Sequence, residues 1–98
     1  MGARVLVVAL DDEAAERIAP ILLRRELAVE RVASGGEAVE RCSAGKYDLV
    51  VCRYPLPDMK VRLLLEALHS AGSPCRDTPI LVLTIAEMKV EARIQLER

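Results

Sequence analysis

Arg4–Leu10 (RVLVVAL) is the stretch whose reading decides the fold. After Arg4 it is an unbroken run of Val, Leu and Ala with no in–out alternation, as expected of a strand buried on both faces, and such strands belong to parallel sheets sandwiched between helices. The residues that follow agree. Asp11 can cap a helix whose first turn carries Asp12 and Glu13, where carboxylates favour the positive end of the helix dipole. Ala14, Ile18, Ile21, Leu22 and Arg25 then recur at helical spacing, giving one apolar side. Pro20 lies within this helix and removes one backbone hydrogen bond, so a kink is expected there.

The strand-then-helix alternation continues along the chain. Ala28–Val32 (AVERV) alternates, as a more exposed outer strand does. Ser34-Gly35-Gly36 is a turn and helix start, and Glu37–Ala44 is a short helix ending at Gly45, a residue suited to a left-handed cap. Tyr47–Cys52 (YDLVVC) is a second buried strand. Arg53–Pro57 (RYPLP) holds two prolines and must be loop, after which Asp58 can cap a helix reaching His69 with Val61, Leu64, Leu65 and Leu68 as its core face. Ser70–Pro79 is loop and Ile80–Thr84 (ILVLT) a fourth strand. In the tail, residues 86–98, Val90, Ala92, Ile94 and Leu96 alternate like a strand, whereas Glu, Met, Lys, Ala, Arg, Gln and Leu are good helix formers. The reading adopted is a fourth helix.

Composition narrows the function classes. The 98 residues carry 14 Lys+Arg against 15 Asp+Glu, a net charge of −1, and are 52% hydrophobic, with an aliphatic core and neither Phe nor Trp. This describes one small domain. No concentrated basic face points to nucleic acid. Cys42, Cys52 and Cys75 are three thiols at spacings of ten and 23 residues, which fits neither a disulfide framework nor a CxxC zinc site. Reduced thiols in the cytoplasm are expected. The apolar runs fall far short of the roughly 20 residues that a membrane span needs.

Right-handed crossovers make all four strands parallel, and ligands of such folds bind beyond the strands' carboxyl ends. At those ends the chain resembles the receiver domain of two-component response regulators. RVLVVALDDEAA is similar to that family's first strand and acidic turn, and ERVASGGEAVE to its second strand and helix. YDLVVCRYPLPDM is similar to the third strand with the phosphoacceptor loop, and TPILVLT to the fourth strand with its switch hydroxyl. The resemblance implies a three-layer, flavodoxin-like α/β fold over residues 1–98, truncated to four strand–helix units in strand order 2-1-3-4. The fifth strand and helix, and the Lys that follows that strand, would be missing. The expected setting is the N-terminal part of a longer bacterial signalling protein.

The resemblance also implies what the site should contain. In receivers two carboxylates after the first strand and an Asp after the third hold Mg²⁺, and that Asp takes a phosphoryl group, chemistry that needs anionic oxygen ligands. Matched without gaps, the acidic pair falls on Ala9 and Leu10 and the phosphoacceptor on Arg53. Thr84 matches the switch hydroxyl, and Lys60-Val61 stands where Asp-Gly is usual. Sliding Asp11 and Asp12 into the metal positions would displace the helix's apolar pattern and still leave Arg53, a permanent cation.

A degenerate phosphoacceptor pocket of Ala9, Leu10, Asp11, Asp12, Arg53 and Thr84 is therefore expected, with no catalytic residue, metal or cofactor. Arg53 suits an anionic ligand or an internal pair with Asp11 or Asp12, and the internal pair is the expectation. Thr84 is read as a structural hydroxyl, His69 as a solvent-facing residue at a helix end and Cys52 as a buried thiol. Tyr54 is either a contact residue or packed on its neighbours. An uncovered fourth strand would expose Leu81, Leu83, Met88, Val90 and Ile94, calling for a homodimer or a downstream domain to cover them. The function implied is a non-phosphorylatable receiver-like regulatory domain, not an enzyme, that docks on other signalling proteins. The alternative is a small-anion or nucleotide sensor built around Arg53.

Overall fold

A computed structural model describes residues 3–23, 27–86 and 89–95. The elements run β1 (Arg4–Val8), α1 (Asp12–Leu23), β2 (Ala28–Val32), α2 (Gly35–Ala44), β3 (Leu49–Tyr54), α3 (Val61–Leu68), β4 (Ile80–Ala86) and β5 (Lys89–Gln95). They build one sheet in the order β2-β1-β3-β4-β5. The first four strands are parallel, in the expected 2-1-3-4 order.

The unbroken apolar strands behave as their composition demands. Leu6 and Val8 of β1, with Val50 and Cys52 of β3, join Ala38 and Cys42 of α2 and Val61, Leu64 and Leu68 of α3 in one core. Val5, Val7 and Val51 point the other way and meet Leu10, Ala14 and Leu83 in a second core, with Ile18 of α1 packed against it. Two cores on opposite faces of one sheet make three layers. Each fully buried Val or Leu contributes about 1.5–3 kcal/mol, so this odd–even split of β1 helps to hold both layers of helices on the sheet. Helix α1 runs through Pro20 without ending. Of its expected core face, the side chains of Ile21 and Leu22, and Arg25 altogether, lie outside the described residues.

The tail departs from expectation. Lys89–Gln95 is a strand, not a helix, and runs antiparallel to β4 with Leu81 opposite Ile94, Leu83 opposite Ala92 and Ile85 opposite Val90. Helix propensities differ by only about 0.7 kcal/mol per residue among ordinary residues. The period-two apolar pattern and an otherwise unpaired row of β4 N–H and C=O groups outweigh them. The edge of β4 is thus covered by the chain itself. Leu83 is only 3% exposed, and Leu81 is half-buried against the second core, so neither is the open apolar residue that an uncovered strand would give. Met88, and the side chains of Val90 and Ile94, lie outside the described residues.

The amino-terminal side of the sheet is held by a polar cluster. Glu30 of β2 accepts hydrogen bonds from Tyr47 Oη at 2.8 Å, Arg41 Nη1 at 2.7 Å and Arg4 Nη2 at 3.0 Å. The Arg4 guanidinium also lies over the Tyr47 ring, 4.4 Å from its centroid. These contacts tie α2 to β1 and β2. The Tyr47 hydroxyl and then Arg4 hold the Glu30 carboxyl below its ordinary range.

Candidate functional site

At the carboxyl ends of β1 and β3 the chain turns sharply. Ala9 has φ of 62°, a left-handed conformation that costs a non-glycine residue roughly 1–2 kcal/mol. Its N–H bonds to Val32 O at 2.9 Å. The turn delivers Leu10 into the second core, only 6% exposed, and places Asp11 at the start of α1. Asp11 Oδ1 accepts from Ala14 N at 2.8 Å, which is the expected cap.

Asp12 points into solvent and pairs with Arg31 Nη1 at 3.2 Å, while Arg31 Nη2 donates to Leu10 O at 2.9 Å. The partner of the acidic turn is therefore Arg31 of β2, and the expected pairing of Arg53 with Asp11 or Asp12 is not formed. The strand register accounts for this pairing. Arg31 sits opposite Val7 in the β1–β2 register, so it faces the same layer as α1 and the Asp11–Asp12 turn.

Arg53 is the penultimate residue of β3, opposite Leu83 of β4. By strand parity it shares the α1 face with Val51. It is half-buried, and its Nε is shielded from solvent with no hydrogen-bond partner among the described residues. Thr84 lies opposite Tyr54, one residue further along β4, and so on the other face. The pocket residues thus divide. Arg53 faces one layer and Thr84 the other, Leu10 is core, and the two Asp carboxylates are engaged elsewhere.

A Mg²⁺ ion of the kind receivers use does not fit this donor set. Hard cations need several anionic or neutral oxygens converging on one point, whereas Ala9, Leu10 and Arg53 supply an alkyl group, an alkyl group and a cation. Among the described residues, no group of three His, Cys, Asp or Glu side chains is gathered to hold a metal.

The loop after β3 has a different role from the one expected. Asp58 does not cap α3, which starts at Val61 after Lys60 with no side-chain cap. Instead its two carboxylate oxygens accept from Gly35 N and Gly36 N, each at 2.9 Å, closing the start of α2. These bonds, Gly36 first and then Gly35, lower the Asp58 pKa. Gly35 also packs closely on the loop, since a Cβ there would meet Met59 Cγ and Sδ at 2.7 Å and the Met59 side chain would have to move. Ser34 Oγ adds a bond from Glu37 N at 3.2 Å. Beside this clamp Tyr54 is 52% exposed and borders an open concavity of about 510 Å³ with Met59, Lys60 and Arg62.

The remaining candidates are structural. His69 is not solvent-facing: its Nε2 lies 2.8 Å from Thr78 O, so that nitrogen carries the proton and donates, and it fastens the end of α3 to the loop before β4. Gly45 ends α2 with φ of −169°, extended rather than left-handed. Burial pushes the Cys52 thiol up to about 12, and burial followed by the neighbouring Cys75 does the same to Cys42. All three cysteines are free and buried. Arg53 does not activate Cys52, because the two side chains lie on opposite faces of β3 and burial disfavours the thiolate.

No family model matches the sequence, and no curated protein matches it. Solved structures do. The chemotaxis response regulator CheY4 of Vibrio cholerae matches with a TM-score of 0.75 at 24% identity, over 89% of this chain and 72% of that one. A response regulator from Chloroflexus aurantiacus matches with a TM-score of 0.76 at 28% identity, over 89% and 70%. The fold is that of a response regulator receiver domain. The pseudo-receiver domain of the CikA protein is also similar, with a TM-score of 0.60 at 23% identity over 92% of this chain and 74% of that domain. The antiparallel β5 departs from the parallel pattern of the other four strands. No helix among the described residues is long and apolar enough to cross a membrane.

Proposed function

We propose that this receiver-like domain is a regulatory module of a cytoplasmic bacterial signalling protein that works without aspartyl phosphorylation, by docking on a second copy, a following domain or another signalling protein. The observation that carries the reading is Arg53. It occupies the end of β3, where the receiver resemblance calls for the phosphoacceptor, and a guanidinium neither attacks phosphorus nor tolerates a divalent cation beside it. The flanking positions support the same reading, since Leu10 is core and Asp11 and Asp12 are committed to a helix cap and to Arg31. The domain is therefore read as regulatory rather than enzymatic. Incubation with acetyl phosphate and Mg²⁺ followed by intact-mass measurement tests it. The mass is expected to stay unchanged, and one added phosphoryl group would overturn the proposal.

A second reading, a small-anion sensor, is favoured by one observation: the shielded Arg53 Nε without a partner. A buried donor left unsatisfied costs about 1–3 kcal/mol, which a bound phosphate or carboxylate would recover. In this reading inorganic phosphate or a nucleotide raises the melting temperature of the wild type but not of Arg53→Ala. Equal shifts in both proteins would remove it.

A further inference from the structure

The sheet ends at β5, whose only strand partner among the described residues is β4. One side of β5 is paired, and among the described residues no strand lies against the other, which presents a row of backbone donors and acceptors, the template that strand addition uses. Its sequence, Lys89-Val90-Glu91-Ala92-Arg93-Ile94-Gln95, has an unusual property when laid antiparallel against itself. With Ala92 on the axis, Val90 falls opposite Ile94, Glu91 opposite Arg93 and Lys89 opposite Gln95. A two-fold axis makes each of these pairs occur twice.

We infer that β5 is a self-complementary edge through which two copies of this chain join into one continuous sheet, in an isologous antiparallel β5–β5 pairing centred on Ala92. This rests on the reading of the domain as a docking module and names its partner and its surface. Edge strands are usually protected by proline, bulges or charges of one sign. β5 has no proline, and its charges are of both signs, spaced so that Glu91 and Arg93 of one copy fall opposite Arg93 and Glu91 of the other. A strand from an unrelated protein would gain the same backbone bonds but not the two Glu91–Arg93 pairs or the two Val90–Ile94 pairs, and cross-strand pairs are what select the register. The four strands from β2 to β4 already pair on both sides or form the opposite edge, so this surface is independent of the Arg53 pocket.

The experiment uses the full chain in light scattering with chromatography, together with charge-swap variants. The wild type is expected at twice the chain mass. Glu91→Arg sets like charges opposite each other twice and should weaken the dimer roughly ten-fold or more, and adding Arg93→Glu to it should restore the wild-type dimer. Recovery in the double variant shows that the single one failed by charge rather than by misfolding. A short thiol-to-thiol cross-linker should join Ala92→Cys chains and not Val29→Cys chains on the opposite edge strand, the native thiols being buried. A monomeric wild type, a dimer indifferent to Glu91→Arg, or cross-linking at position 29 instead of 92 would each overturn the inference. Any of these results combined with an unchanged mass under acetyl phosphate leaves the phosphorylation-independent reading standing, so the two can fail separately.

Discussion

The two ends of the sheet treat charge in opposite ways. On the amino-terminal side one carboxylate, Glu30, is surrounded by Arg4, Arg41 and Tyr47, and each of the three donates to it. At the carboxyl ends the carboxylates Asp11 and Asp12 turn outward to a helix cap and to Arg31, and Arg53 keeps a shielded, unpartnered Nε. The first arrangement is stabilising, because three charge-assisted bonds converge on one acceptor. The second leaves hydrogen-bonding capacity unspent at the edge where folds of this class place ligands. A polar group held by its neighbours is architecture, whereas one left over is a candidate for function.

The largest break in this comparison comes from reversing the pocket. Leu10→Asp restores a carboxylate where receivers have one but buries it among Val5, Val7 and Leu83, and should lower the unfolding free energy in urea by about 3 kcal/mol or more. Ala9→Asp should cost within about 1 kcal/mol, since Ala9 is half-buried and Asp tolerates the left-handed region. Equal losses would mean that Leu10 is not core. Tyr47→Phe follows in size. It removes one bond to an ionised carboxylate at the satisfied end and should cost about 1–2 kcal/mol. Arg53→Ala removes no bond found among the described residues and takes away a shielded donor without a partner, so it should not lower stability and should raise it by up to about 1 kcal/mol. A loss at Arg53 as large as that at Tyr47 would erase the contrast between the two ends.

Much of this architecture was legible in the residues, for an identifiable reason. The VLVVAL of RVLVVAL and the LVVC of YDLVVC are unbroken apolar runs, and the alternatives to a strand buried on both faces are few. The second strand nevertheless spans Leu49–Tyr54 and so takes in Arg53 and Tyr54, which the neighbouring prolines suggest are loop. Asp11 as a cap and the apolar face Val61, Leu64 and Leu68 follow from local spacing alone. What local spacing missed was decided by long-range partners. Asp58 looks like a cap for the helix just after it, yet binds Gly35 and Gly36 from another element, because the loop after β3 folds back onto α2. His69 and Arg31 are likewise claimed by Thr78 and by the turn at Leu10 and Asp12. The tail failed for a different reason. Its helix-forming residues and its period-two pattern conflict, and only the open edge of β4 resolves them in favour of a strand. Within the pocket, the absence of carboxylates at positions 9, 10 and 53 was readable directly, whereas the division of its residues between two faces needed the register.

The smallest effect separates the two ends by acidity. The Glu30 carboxyl is held below its ordinary value of 4.5, first by the Tyr47 hydroxyl and then by Arg4, and Asp58 is held below 3.8 by the Gly36 and Gly35 N–H groups. A carboxyl with a depressed folded-state pKa binds its proton more weakly in the folded protein than in the unfolded chain. Its contribution is therefore complete above the unfolded value and is lost as pH falls through the folded value. Stability should accordingly be flat from neutrality down to about pH 5 and should decline in the window below 4.5 that these two groups define. Glu30→Gln and Asp58→Asn should each make that decline shallower, the first within the range below 4.5 and the second within the range below 3.8, as followed by thermal unfolding between pH 7 and pH 3. Arg53→Ala should leave the profile unchanged in shape, because a guanidinium stays charged throughout. If Arg53→Ala altered the acid limb as much as Glu30→Gln does, Arg53 would have to be paired with a titrating carboxylate, and the carboxyl edge would be as internally satisfied as the amino-terminal one.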